Sequence, residues 1–479
     1  MSEGRVLPKS VDYTKILPLA VESRSRRRSF FPTNGQAFTD NANNIIRIDV
    51  SASAFLDTRH SYLRFRLTNN SGQAVGFDYG GGHGIIRRLR IEQAGTVLSD
   101  VNHYNKLMSA IILPSQSGVD GLAHRSLTEG QRFANSAGNG NSMLPTPAAE
   151  VTGAIVNTPS NTDGLVANGV AYTFSIPLMN GLIGSTQSKM VPLQLLGSSP
   201  LTIEIELAPQ LDIGAFTVAA PAAGTSYTVD NVRYIAQLVE VGPEVDAQLR
   251  MVQEMSGGKL VLNGTDYTHF NGNVPAAAVG NQVINVPARR KSLKSLFFVG
   301  ASTSYAAAGA GGAEHNFVYN LSYGGNFNMT DYQVKIGSVV YPPTPIDCQF
   351  QAAAGSALQR GEAMSELAKC WGTVSSAHGT GSLSTINAWV ADCDVANMAV
   401  AAAAGAATNT LRFSPFGIDL EAFQRTAIES GINTASSSLP ISLVLNIGAA
   451  NAEPINVDCY VSYDSLYYID ETGAIRVSM

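Results

Sequence analysis

The side chains with reach for chemistry in this sequence are seven histidines, four cysteines, a few closely spaced carboxylates and one dense run of arginines. A zinc site needs ligands held together by spacing, as in H-E-x-x-H on one helix face or in paired C-x-x-C thiolates. His60, His83, His103, His124, His269, His315 and His378 show no such spacing, and Cys348, Cys370, Cys393 and Cys459 have at least 21 residues between neighbours. Glu204 with Glu206, and Asp392 with Asp394, sit two apart, which on a strand places both on the solvated face. No serine has the flanking glycines of a G-x-S-x-G nucleophile elbow. The nearest approach to a P-loop, SGGKL, puts Leu260 where a magnesium-binding hydroxyl is required. GGGHG at residues 80–84 leads into strand-like IIRRLRI, so it reads as a tight turn and not a phosphate cradle. These patterns predict a chain without catalytic residues, metal or cofactor. Sequons at Asn69, Asn263, Asn320 and Asn328 are assigned no glycan, because no secretory signal accompanies them.

The arginine run is SRSRRRSFF at residues 23–31, with Arg24, Arg26, Arg27 and Arg28. Guanidinium groups at that density neutralise phosphates on nucleic acid or lipid headgroups, or pair bidentately with carboxylates of a neighbouring surface. The whole chain carries a formal charge of -6, but residues 1–31 hold seven basic and three acidic side chains, and the other 24 basic and 34 acidic ones leave the body at -10. Residues 1–30 are therefore predicted to be a basic arm outside the folded body, with residues 1–28 dispensable for folding.

The elements that position everything else follow period two, apolar in and polar out. In NIIRIDV, Ile46, Ile48 and Val50 share one face; in SYLRFRL, Leu63, Phe65 and Leu67 do the same. RRLRIEQ, AYTFSIPL and TIEIELAP repeat the pattern, and a second series runs from NVRYIAQLVEV through KLVLNG, QVINVPA, KSLKSLFFV, YQVKIGSVV and SLVLNIG to NVDCYVSY. SYLRFRL and KSLKSLFFV echo each other faintly. The loop-like LDIGAFTVAAPAAGTSYT marks a boundary near residues 212–228, giving halves at 31–225 and 226–479. Long Gly-, Ala- and Asn-rich stretches at 134–170, 302–316, 351–357 and 395–410 predict large loops. Two helical patterns, near 101–113 and 357–371, look like insertions. The longest apolar run, near 395–407, falls short of the roughly 20 residues a membrane span needs, and sparse thiols suit a reducing compartment.

Several strings, in order, resemble the double jelly-roll major capsid proteins of icosahedral double-stranded DNA viruses, in the polinton-like virus, adintovirus and nucleocytoplasmic large DNA virus lineage. FPTNGQAFTDNANNIIRIDVSASAFLDTRHSYLRFRL is similar to the opening of that family's first roll, IIRRLRIEQAGTVLSDVNHYNKL to the segment that follows, and SIPLMNGLIGSTQSKMVPLQLLGSSPLTIEIELAP to its end. YTVDNVRYIAQLVEV, RRKSLKSLFFVGAS, IGSVVYPPTPI, FGIDLEAFQ and YVSYDSLYYIDETGAIRVS resemble successive parts of the second. The resemblance implies an all-β fold of two tandem eight-stranded antiparallel jelly-roll sandwiches with long loops and a few short helices. It also implies homotrimeric, pseudo-hexameric capsomers tiling a viral shell, a virion location, synthesis in the host cytoplasm or nucleus, and no small-molecule substrate. In the family the termini lie inward, so Arg24, Arg26, Arg27 and Arg28 would face minor capsid or penton proteins, an inner membrane or the genome. Two other readings compete. One is a receptor- or glycan-binding sandwich of spike or lectin type, which the Asn/Gly/Ser-rich loops would permit. The other is a sandwich hydrolase whose carboxylates meet only on folding.

Overall fold

β-branched and aromatic residues alternating with polar ones give each strand-forming run one face to bury and one to wet. The computed structural model of the chain describes residues 23–72, 75–77, 80–113, 128–129, 132–134, 140–142, 166–184, 189–197, 199–216, 226–302, 321, 328–348, 361–370, 415–421, 431–436, 440–451 and 454–478. Sixteen main strands of the described residues build two sandwiches, and the short strands Ala37–Phe38, Val191–Pro192 and Ile475–Ser478 pair onto them. The first uses β1 Ser23–Phe30, β2 Ile45–Val50, β3 Phe55–Asn70, β4 Ile86–Gln93, β5 Thr96–Asn102, β6 Ala171–Ile176, β7 Leu201–Leu207 and β8 Ser226–Val241. The second uses β9 Lys259–Val274, β10 Gly280–Asn285, β11 Leu293–Ser302, β12 Met329–Ile336, β13 Val339–Asp347, β14 Phe416–Asp419, β15 Ile441–Ile447 and β16 Ile455–Asp470.

Sheet order is β1-β8-β3-β6 and β2-β7-β4-β5 in the first sandwich, and β9-β16-β11-β14 and β10-β15-β12-β13 in the second. Each strand of the second occupies the place of the strand eight earlier. SYLRFRL and KSLKSLFFV, whose likeness is only faint in sequence, lie on β3 and β11, which are equivalent strands. All these pairings are antiparallel, so sequence neighbours need not be sheet neighbours and the crossings close each sandwich.

The alternation lands where period two requires. Ile48, Ile203 and Ile91 stand side by side across β2, β7 and β4, all fully buried. Leu63, Phe65 and Leu67 are buried on β3, and the Phe65 and Phe77 rings pack on Phe174 at 5.3 and 5.0 Å. In the second sandwich Phe298 on β11 meets Phe416 on β14 at 5.2 Å and Tyr332 on β12 at 5.1 Å, so this cluster bridges both sheets. Burying each such side chain contributes about 1.5–3 kcal/mol.

The structure departs from three sequence expectations. Residues 23–30 are not an arm: they form β1, paired with β8 from Ser23↔Val241 to Phe30↔Tyr234. The charges misled because β1 is an edge strand whose side chains are exposed up to Arg28, so it lacks the alternation of a half-buried one. Residues 226–241 do not begin the second half either. They are β8, which lies between β1 and β3 and completes the first sandwich, with Tyr227, Val229, Tyr234 and Leu238 buried. The connection between sandwiches is helix α1, Pro243–Met255, started by a proline that has no N–H to lose and by Glu244 and Asp246 in its first turn. The segment Tyr104–Lys106 with Leu107–Ile112, expected as an insertion, is helical but wholly buried, so it is core. Of the other expected helix, Gly361–Lys369 is helical as α2, with Ala363 and Leu367 buried; Leu358 and Trp371 lie outside the described residues.

Candidate functional site

Two polar features stand out among the described residues: the arginine row of β1 and the joint between the two halves. β1 presents the arginine run at a sheet edge. Arg26 pairs with Glu240 at 2.8 Å, Arg27 lies 5.6 Å over the Tyr62 ring, and Arg28 lies 4.8 Å over Phe30 while donating to the Ser51 carbonyl at 3.3 Å. Arg24 is exposed at the strand's start, opposite Glu240. Strand pairing thus holds the arginines in a fixed row, which a loose arm would not do.

The joint between sandwiches is polar and buried. Lys106, from the helical segment after β5, ion-pairs with Asp458 on β16, and His269 on β9 meets the other Asp458 oxygen at 2.8 Å. Burial alone would raise the Asp458 carboxyl, but the Lys106 ammonium and the His269 ring outweigh it and hold it well below the usual carboxylate range. The His103 ring lies 4.5 Å from that of His269, tilted by 38°, and the His103 carbonyl accepts from the Tyr460 hydroxyl at 3.0 Å. Burial, reinforced by His269, lowers His103 to about 4.

A second buried carboxyl lies farther along the same seam. Asp266 on β9 accepts from the Gly181 amide of the first sandwich, from its neighbour Tyr267 N–H at 2.8 Å and from the Tyr463 hydroxyl at 3.4 Å. Burial still dominates and pushes its pKa up to about 6. Gly181 must be glycine, since a Cβ there would stand 2.2 Å from the Tyr467 hydroxyl. Gln93 at the end of β4 closes the seam, donating to the Gly473 carbonyl at 2.8 Å and accepting from the Ile475 N–H at 2.7 Å. Gly473 sits at φ +82, and a Cβ on it would press within 2.6 Å of the Leu195 carbonyl.

The remaining reactive types are dispersed. His83 is buried 3.4 Å from Glu129, and His60 lies beside Asp57 at the surface. Cys348, Cys370 and Cys459 are free thiols, and no group of metal-ligating side chains occurs among the described residues. His124, His315, His378, Cys393, Asp392 and Asp394 lie outside them. Glu204, expected on a wet face, is on the outer face but only 8% exposed, because Arg47 at 2.7 Å and Arg90 at 3.6 Å fold over it. Asn69 is buried with its amide donating to the Val166 carbonyl, which bars a glycan in the folded protein. The GGGHG run, expected as a tight turn, instead enters a buried 3₁₀ helix, Gly81–Ile85, that leads into β4.

Sequence comparison finds no matching family model and no matching curated protein. Structural comparison aligns both sandwiches, in order, with viral shell proteins. PBCV-1 VP54, fitted into a cryo-EM reconstruction of the virophage Sputnik, superposes with a TM-score of 0.56 at 11% identity over 98% of this chain and 99% of that one. The fold is the double jelly roll. The Faustovirus major capsid protein matches at TM-score 0.54 and 10% identity over 97% and 92% of the two chains. The mavirus major capsid protein matches at 0.50 and 11% over 100% and 96%. The expected all-β class and paired rolls are thus observed in the double jelly roll. Lys106, His103, His269, Asp266 and Asp458 were not singled out from sequence as a group; the partners of this joint stand 352 and 357 residues apart, and no local spacing signals them.

Proposed function

We propose that this chain is a major capsid protein that self-assembles into homotrimers of pseudo-hexameric outline, which tile an icosahedral shell in the virion. The observation that supports it is end-to-end likeness of both rolls, in sequence order, to whole capsid proteins. The physics of the fold favours it too. Because strand order repeats from one roll to the next, three chains around a threefold axis present six similar sandwiches, a near-hexagon that packs a curved lattice. A cyclic trimer closes its head-to-tail interface on itself and so finishes as a unit before tiling. The rigid buried joint keeps the two rolls of each chain at one angle, as a lattice element requires.

In this reading the work is assembly and no bond is made or broken, so the chain is not an enzyme. Arg24, Arg26, Arg27 and Arg28 on β1 face the shell interior, where minor capsid or penton proteins, an inner membrane or the genome offer carboxylates or phosphates.

The test is solution mass by light scattering, followed by negative-stain imaging of the same sample. Three times the chain mass of 50.5 kDa, with hexagonal outlines or closed shells, is expected. A stable monomer across salt and pH would overturn the proposal.

A further inference from the structure

On the flank where the rolls meet, an apolar groove of about 480 Å³ opens, a size in the range of about 300–1,000 Å³ that holds a bound ligand. Its walls are Val239 and Val241 at the end of β8, Val245, Leu249 and Val252 on one face of α1, and Leu260 at the start of β9. The rim exposes large apolar surface: Met190 is 41% exposed, Val261 41% and Val252 49%. Monomeric surfaces seldom leave such residues contiguous without a use.

The chain itself approaches this groove. β1 begins at Ser23, whose register partner is Val241, one of the groove walls. Immediately before it the sequence reads ILPLAVE, six apolar residues at 16–21 between Lys15 and Glu22. At about 3.3 Å per residue, Val21 reaches roughly 7 Å and Ile16 roughly 23 Å from Ser23, enough to enter and cross the groove. Pro18 carries no N–H, so an extended segment there needs no strand partner at that position. Lys189 on the rim offers a cation for Glu22.

We propose that residues 16–21 of the same chain seat in this groove as an apolar strap, tying β1 to α1 and to the first residues of the second roll. A short tether to the neighbouring β1 gives the segment an effective concentration in the millimolar range, which favours the chain's own groove over that of another copy. The proposal holds whether or not the chain builds a shell.

The experiment places the photocrosslinking residue p-benzoylphenylalanine at position 19 of the full-length protein and maps the adducts by mass spectrometry. Adducts to the peptide spanning 243–262 at the mass of one chain are expected. Adducts only at the mass of two chains would assign the groove to a second copy, and adducts elsewhere, or none, would discard the groove as the seat; either overturns the proposal. In parallel, Leu249→Asp on the half-buried face of α1 is expected to speed hydrogen exchange at residues 17 and 19–21 at least tenfold. Should that variant fail to fold, Leu17→Asp with Leu19→Asp gives the same readout. Unchanged exchange in the folded variant overturns the strap.

Discussion

Lys106 of the first roll and Asp458 of the second form an ion pair whose side chains are only 10% and 6% exposed. Separation would leave the Lys106 ammonium without this carboxylate, and Asp458 with only His269 and Asn271 of its own roll. The pair therefore makes the relative placement of the rolls part of the fold; the Tyr460 hydroxyl donates to the His103 carbonyl across the same seam, while His269, within the second roll, holds the other Asp458 oxygen.

Asp458→Asn leaves the Lys106 ammonium buried without its counter-charge and is expected to cost about 3–5 kcal/mol. Adding Lys106→Met should restore much of that loss, since the stranded charge goes with it. Differential scanning calorimetry of the two variants checks both statements; equal melting of the single and double variants would refute them.

Two groups of the joint oppose each other as pH changes. Asp266 has a folded pKa raised from 3.8 to about 6, so as pH climbs from 4 to 6 the unfolded chain loses its proton first and stability falls, by about 3 kcal/mol in all. His103 has a folded pKa lowered from 6.5 to about 4, so as pH drops through the same window the unfolded chain gains its proton first and stability falls in the other direction. The wild type should therefore melt at nearly constant temperature across this window as far as these two groups are concerned. Asp266→Asn should become less stable toward pH 4, and His103→Asn, which tolerates the left-handed backbone at that position (φ +49), less stable toward pH 6. Melting curves at half-unit steps of pH test the opposite slopes.

Phe65→Asp puts a charge against Phe174 in a site 1% exposed and is expected to destabilise the first roll by more than about 4 kcal/mol. An unchanged melting temperature would disprove the register of β3.

Deleting residues 1–22 should leave both rolls folded and shift melting by a few degrees at most, whereas deleting residues 1–30 removes β1, strips one edge of β8 and should lower soluble yield and melting sharply. Circular dichroism melts and size-exclusion profiles of the two truncations distinguish these outcomes.

How much was legible depends on the distance over which the physics acts. Period-two burial is local, so Ile46, Ile48 and Val50, or Ile203 and Ile205, could be placed from sequence and lie where expected. The boundary was misplaced because the run of small residues in the sequence before β8 looks like a linker, while the connector is a charged helix whose groove-facing side is Val245, Leu249 and Val252. β1 was mistaken for an arm because an edge strand with one paired side does not need alternation. The joint was invisible for another reason: a lysine and an aspartate 352 residues apart announce nothing until the fold brings them together.

Gln93 and the Gly473–Ile475 turn also set an order of events. A ribosome delivers Gln93 some 380 residues before its partner Ile475, so the first roll can fold early while its half of the seam stays open. The seam closes only when the partner turn has emerged. A chain cut short before residue 473 would lack the Gly473 carbonyl and the Ile475 N–H, leaving the Gln93 amide without these two partners. The two ends of this seam are thus joined by the hydrogen bonds with the longest span in sequence described here, and they form late in synthesis.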